Sequence, residues 1–140
     1  MDRSAAERFL ADHHQGVLVT LRGDGRPQTS NIVYSFADGV ARISVTDDRA
    51  KTANLRRDGR AVLHVLGETF WQYVSATGTA ELSGLTTEPG DAVGRELLEL
   101  FDAVSSEPHP DPDEFFRAMV DDRRLVVRFR PDGYAGQAGG

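Results

Sequence analysis

The chain has 140 residues, 27% of them charged and 39% apolar, with a formal net charge of −6 and no cysteine. That length supports one core rather than two, and the lack of thiols excludes disulfides, thiolate nucleophiles and cysteine-ligated zinc or iron–sulfur centres. The acidic balance argues against nucleic acid or an anionic membrane as partner, because both reward a basic face. No apolar run nears the ~20 residues of a membrane-spanning helix, and no secretory leader precedes the first strand, so a cytoplasmic protein is expected.

In chain order, Ser4 is placed to cap a first helix with Glu7 at capping-box spacing, and Ala5, Phe9 and Leu10 give it an apolar stripe ending near His13-His14. Gly16–Leu21 is compact and β-branched, Gly23-Asp24-Gly25 turns the chain, and Thr29–Phe36 resumes an extended pattern. Ala37-Asp38-Gly39 marks a hairpin into Val40–Thr46. Asp47 and Asp48 then stand as N-cap candidates for a short helix through Ala50, Lys51 and Leu55 that Asp58-Gly59 ends.

That helix carries an anomaly of charge. Arg49, Lys51, Arg56, Arg57 and Arg60 face only Asp58, whereas Glu81 to Asp122 holds twelve acids against Arg95 and Arg117, and Lys51 is the only lysine in the chain. First-turn N–H groups lack intrahelical partners and point, with the helix dipole, toward any anion there. A small phosphorylated ligand would leave such an island, and so would a solvated helix face; both readings stand on charge alone.

Further on, Ala61–Leu66 reads as a buried strand, and Phe70–Leu82 as a half-buried one: Ser75, Thr77, Thr79 and Glu81 on one face, Val74, Ala76, Ala80 and Leu82 on the other. Gly78 permits a bend or close approach within it. Asp91–Val104 repeats apolar residues at helical spacing, which makes its acids the wet side of an amphipathic helix. Pro108 to Pro112 forms a loop, Phe115, Phe116 and Met119 suggest a short helix, and Leu125–Arg130 a last strand. Residues 131–140 are expected to be a flexible tail of this single domain. About six antiparallel strands, a few helices and no βαβ alternation predict a mainly β fold, a small barrel.

No site for hydrolysis or metal chemistry emerges. The four histidines share no metal spacing, no serine sits in a nucleophile elbow, and Gly23-Asp24-Gly25 lacks the dinucleotide fingerprint.

Four segments in order, Gly16–Thr20, Gly23–Asn31, Arg49–Asp58 and Ala118–Arg124, resemble the pyridoxamine-phosphate-oxidase-like split β-barrel superfamily, and within it the F420-dependent flavin/deazaflavin oxidoreductase branch. The resemblance implies an FMN-binding-like split barrel, a homodimer holding two cofactors between its subunits, and coenzyme F420 as cofactor with FMN as alternative. It further implies that Arg49 and Lys51, with Ala50 and Thr52, hold the cofactor phosphate. Pro27, Gln28, Thr29, Ser30 and Asn31 would line the ring, and Val45 and Thr46 would run beneath the phosphate end. Trp71 and Tyr73, on one face of their strand, are candidates to reach the cofactor of the opposite subunit or to pack core or interface. The implied activity is hydride transfer from reduced deazaflavin to an unsaturated small organic acceptor, with the cofactor carrying the chemistry. No catalytic residue and no metal is assigned; Ser75 and Tyr73 are polar groups from which a proton could come. The alternatives are an FMN-dependent oxidase or reductase of the same fold, or a non-enzymatic cofactor- or tetrapyrrole-binding protein.

Overall fold

The computed structural model describes residues 1–139. All seven strands join one antiparallel sheet: β1 (Gln15–Leu21), β2 (Pro27–Val33), β3 (Ser35–Ala37), β4 (Val40–Thr46), β5 (Arg60–Leu66), β6 (Tyr73–Leu82) and β7 (Arg124–Gln137). Their order is β2-β1-β5-β6-β7-β4-β3, so β2 and β3 are opposite edges. Only Tyr34 lies between those edges in sequence. A flat seven-stranded sheet could not have its two edges joined by one residue; the sheet must roll up, with its seam at Tyr34.

Local chemistry closes that seam. The Tyr34 ring is fully buried, its hydroxyl donates to the Leu10 carbonyl at 2.8 Å, and its N–H donates to the His14 carbonyl at 2.8 Å. His14 Nδ1 lies 3.1 Å from the Tyr34 carbonyl. Burial pushes the Tyr34 hydroxyl well above the ordinary phenol range. This is why the extended run expected from Thr29 to Phe36 is two strands: the chain changes sheet edge at Tyr34.

Two other devices shape the roll. At Asp38-Gly39 both residues take positive φ, the backbone of a two-residue hairpin turn. At Gly78 the β6–β7 register shifts, and a Cβ there would run into the Arg130 carbonyl, so the bend requires glycine. The rolled sheet encloses a core that includes Leu18, Ile43, Leu63, Val74, Val127 and Phe129.

Four helices surround it: α1 (Arg3–Ala11), α2 (Ala50–Arg57), α3 (Ala92–Val104) and α4 (Pro112–Asp121). Phe9 and Leu10 of α1 and Leu55 of α2 enter the barrel core, while α3 and α4 build a second cluster around Leu97, Phe115 and Val126 on the outside of the sheet. None is long and apolar enough to cross a membrane.

Several local expectations are corrected. Asp2 rather than Ser4 caps α1, accepting from the Ala5 N–H at 3.0 Å, and Glu7 bonds Arg3 instead. Neither Asp47 nor Asp48 caps α2: Asp47 is held by Arg56 and Arg123, and Asp48 accepts from the Thr46 hydroxyl, so Arg49 becomes the N-cap. The strand expected from Phe70 begins at Tyr73, leaving Trp71 in the preceding turn rather than beside Tyr73 on a strand face. The final strand is longer than expected, because Pro131 and residues 133–137 pair with β6 down to Tyr73↔Gln137, with Asp132 the extra residue at the register shift. Of the tail expected to be flexible, Gly140 lies outside the described residues.

Candidate functional site

The basic island sits where β4 gives way to α2. Arg49 has extended backbone angles and offers no side-chain acceptor to the first turn of the helix, so N–H groups there await an external one. The turn itself is rigidly held: the Thr52 hydroxyl, fully buried, donates to the Thr46 carbonyl at 2.8 Å. Two residues on, Asn54 is 5% exposed and ties the helix to the sheet, its Nδ2 lying 3.1 Å from both Thr20 Oγ1 and Gln28 Oε1. Asn54 thereby links the helix carrying Lys51 to β2, the strand expected to line a ring.

Among the described residues, neither Arg49 nor Lys51 forms an ion pair with a carboxylate. Lys51 is half-buried, and its ammonium is held below the usual lysine range by burial first, then by the positive charges of Arg49 and Arg124. Arg124 is the member that the site assignment by sequence missed. It comes from β7, seventy-three positions from Lys51, and the β4–β7 register brings it opposite Thr46. The doublet Arg123-Arg124 was a visible signal, but only the pairing says which of the two turns toward Lys51. Arg123 goes to Asp47, whereas Arg124 donates from Nη1 to Ser44 Oγ at 3.2 Å and lines a cavity with Lys51. Its Nε is buried without a hydrogen bond, the nearest carboxylate oxygen being Asp122 at 3.5 Å.

Two clefts meet at the edge strand β2. One, about 630 Å³, lies on the outer sheet face against Val17, Asn31, Val33, His64 and Leu66. The other, about 360 Å³, lies between β4 and helices α3 and α4, with Lys51 and Arg124 in its wall; Asn31, Ile32 and Val33 border both. Strand alternation sorts the expected ring-lining residues. Pro27, Thr29 and Asn31 are exposed, while Gln28 and Ser30 point to the opposite face, Gln28 toward Asn54. Val45 is 1% exposed and belongs to the core, so it can offer a ligand only its backbone; Thr46 has its hydroxyl on Asp48. Ala50 is exposed at the helix start. Trp71 is 74% exposed and stacks edge-on with Phe70 at 4.8 Å, and Tyr73 lies 5.5 Å from the His64 ring. The structure thus gathers Arg49, Ala50, Lys51 and Thr52 at one point, lays Pro27–Asn31 along a neighbouring edge, and leaves Trp71 and Tyr73 on the outer face.

A rolled antiparallel sheet with an uncapped, cationic helix start beside its edge strand defines the class: a split β-barrel with a site suited to a phosphorylated ligand. The sequence profile described as pyridoxamine 5'-phosphate oxidase matches residues 3–134, and the chain belongs to that family. Among solved structures it is similar to an F420 reductase (24% identity, TM-score 0.69, covering 94% of this chain and 96% of that one). It is also similar to a conserved hypothetical protein from Mycobacterium tuberculosis (23%, 0.75, 96% and 82%). A third likeness is to a FAD-binding protein from Mesorhizobium loti (15%, 0.67, 96% and 90%). At these identities the likenesses establish the fold.

Proposed function

We propose that this chain is an F420-dependent oxidoreductase, working in the cytoplasm as a homodimer, whose bound deazaflavin would supply a hydride to an unsaturated small organic acceptor. The observation that carries the reading is the pair of Arg49 and Lys51 at a helix start, neither of them matched by a carboxylate among the described residues, which fits a phosphate. Family membership and the F420 reductase among its structural relatives support the choice of cofactor.

The chain's own part is binding and orientation. Arg49 and Lys51 hold the phosphate, aided by the α2 first-turn N–H groups of Ala50, Lys51 and Thr52. The unpaired edge of β2 presents backbone donors and acceptors to the ring. Asn54 fixes the distance between those two ends. Support for the dimer comes from Val33, Leu66, Phe70 and Trp71, large apolar side chains each at least half exposed, which a partner subunit would cover.

Titration of the chain with F420 and, separately, FMN, followed by cofactor fluorescence, tests the reading. Saturable F420 binding that is weakened in Lys51→Met is the expected result. FMN binding without F420 binding would replace the cofactor, and binding of neither would overturn the proposal. Sedimentation equilibrium tests the dimer, and a monomer at micromolar concentration would remove that part.

A further inference from the structure

The cavity between β4 and helices α3 and α4 has a composition that the phosphate site does not require. Nine of its thirteen lining side chains are apolar, with Leu97, Leu100 and Phe101 from α3 facing Phe115 and Met119 from α4. Its only charged groups are Lys51 and Arg124, and no aspartate or glutamate lines it. At about 360 Å³ it falls in the range of roughly 300–1,000 Å³ that suits a small organic ligand. Apolar walls with positive charge as the only charge select a molecule of matching polarity, because an apolar body gains by leaving water and an anionic head offsets two cations of which, among the described residues, only Arg124 has a carboxylate near it, Asp122 at 3.5 Å.

Arg124 is the better placed of the two cations for such a head. Its guanidinium is anchored to Ser44, itself in the cavity wall, and its Nε–H is buried with no hydrogen-bond acceptor. That Nε faces Asp122 at 3.5 Å, and Ser44 takes only one bond from Nη1, so the guanidinium keeps N–H donors to spare for an entering carboxylate or sulfonate. Lys51, two residues into the cationic turn, is already committed to the cofactor phosphate in the reading above, on which this inference rests.

We infer that this cavity is the acceptor pocket, and that it takes an apolar-bodied organic monoanion, such as an aromatic or branched carboxylate, with its acidic head on Arg124 and its body between α3 and α4. Cofactor and acceptor would then lie on either side of Lys51, meeting at the Asn31–Val33 segment of β2, which borders both clefts.

Two probes of nearly the same body test this by calorimetry on the full chain saturated with whichever cofactor it binds: anilinonaphthalene sulfonate, which is anionic, and phenylnaphthylamine, which is neutral. The sulfonate should bind at least about tenfold more tightly, and Arg124→Met should remove that preference while leaving the neutral probe unchanged, as expected for loss of one charge-assisted hydrogen bond. Met119→Trp, which fills the cavity from α4, should abolish binding of both probes with cofactor affinity intact; Val104→Trp serves from α3 if that variant does not fold. Equal affinities for the two probes, or probe binding that survives filling of the cavity, would overturn the inference. So would displacement of the probe by cofactor, which would make the cavity part of the cofactor site. If neither F420 nor FMN binds, the cofactor reading fails by itself, and the same probe comparison on the free chain still decides the pocket.

Discussion

Two cationic clusters occupy neighbouring positions on the same pair of strands, and they are resolved in opposite ways. On β4 and β7, Arg42 and Arg128 are direct cross-strand partners, an arrangement of like charges that is unfavourable by itself. Glu96 of α3 reaches between them, bonding Arg42 at 3.0 Å and Arg128 at 2.6 and 2.9 Å. Hydrogen bonds from Arg128 first, then Arg42, hold the Glu96 carboxyl below the usual carboxylate range despite its partial burial. Four residues along β7, Arg124 joins Lys51 and Arg49, and no equivalent of Glu96 is supplied to Lys51. The first cluster is neutralised within the chain and fastens a helix to the sheet; in the second only Arg124 has a carboxylate near it, Asp122 at 3.5 Å, and among the described residues Lys51 and Arg49 have none. The difference teaches that a binding site is marked less by how many charges it gathers than by whether the chain neutralises them.

Substitutions at the two clusters should therefore separate stability from binding. The largest effect is expected for Glu96→Ala, which leaves two half-buried arginines facing each other and should cost about 2–3 kcal/mol of stability in denaturant unfolding, less than a fully buried pair because both arginines keep partial access to water. Lys51→Met should do the reverse. Cofactor affinity should fall by about 1.5–3 kcal/mol in a fluorescence titration, while the melting temperature holds or rises, since a half-buried charge repelled by Arg49 and Arg124 is gone. A Lys51→Met variant as unstable as Glu96→Ala would erase the distinction between the clusters.

Asn54→Ala tests what holds the open cluster in place. It strands the Thr20 hydroxyl and the Gln28 amide, so about 1–2 kcal/mol of stability should be lost, and cofactor affinity should drop with the phosphate and ring ends no longer tied. The smallest effect belongs to the cap of α3. Burial would raise the Asp91 carboxyl, but bonds from the Thr86 hydroxyl and the Gly94, Thr87 and Glu88 N–H groups outweigh it and hold it at about 2. A depressed carboxylate stabilises the fold above its unfolded value of about 4 and loses that contribution as pH falls toward 2. Asp91→Ala should thus cost about 1 kcal/mol at neutral pH and have progressively less effect in acid melts between about pH 4 and 2. A loss independent of pH in that window would mean that the cap acts by shape rather than charge.

Much of this architecture was legible in the residues themselves. The alternation of Val74, Ala76 and Ala80 against Ser75, Thr77 and Thr79 placed β6 and its buried face, and the positive-φ turn at Asp38-Gly39 came directly from its dipeptide. The cationic island was visible as well, because Arg49 and Lys51 are near neighbours in a chain otherwise rich in acid. What failed were choices between equivalent local partners. Ser4 and Asp2 are both competent caps, and Asp47 and Asp48 could each have capped α2; the decision lay with Arg3, Arg56, Arg123 and Thr46, whose positions no local pattern gives. Trp71 looked like a strand residue because aromatics favour strands, yet the β5–β6 turn claimed it.

The sequence by itself determined most of the elements, their buried faces and a cationic helix start, since each depends on contacts within a few residues. Only the tertiary structure decided that the strand holding Arg124 would lie against the end of β4, that Asn54 would bind β2, and that α3 and α4 would close an apolar cavity beside Lys51. Those relations join residues far apart in the chain, and they arise from the order and register in which the strands pair, which charge and periodicity along the sequence do not specify.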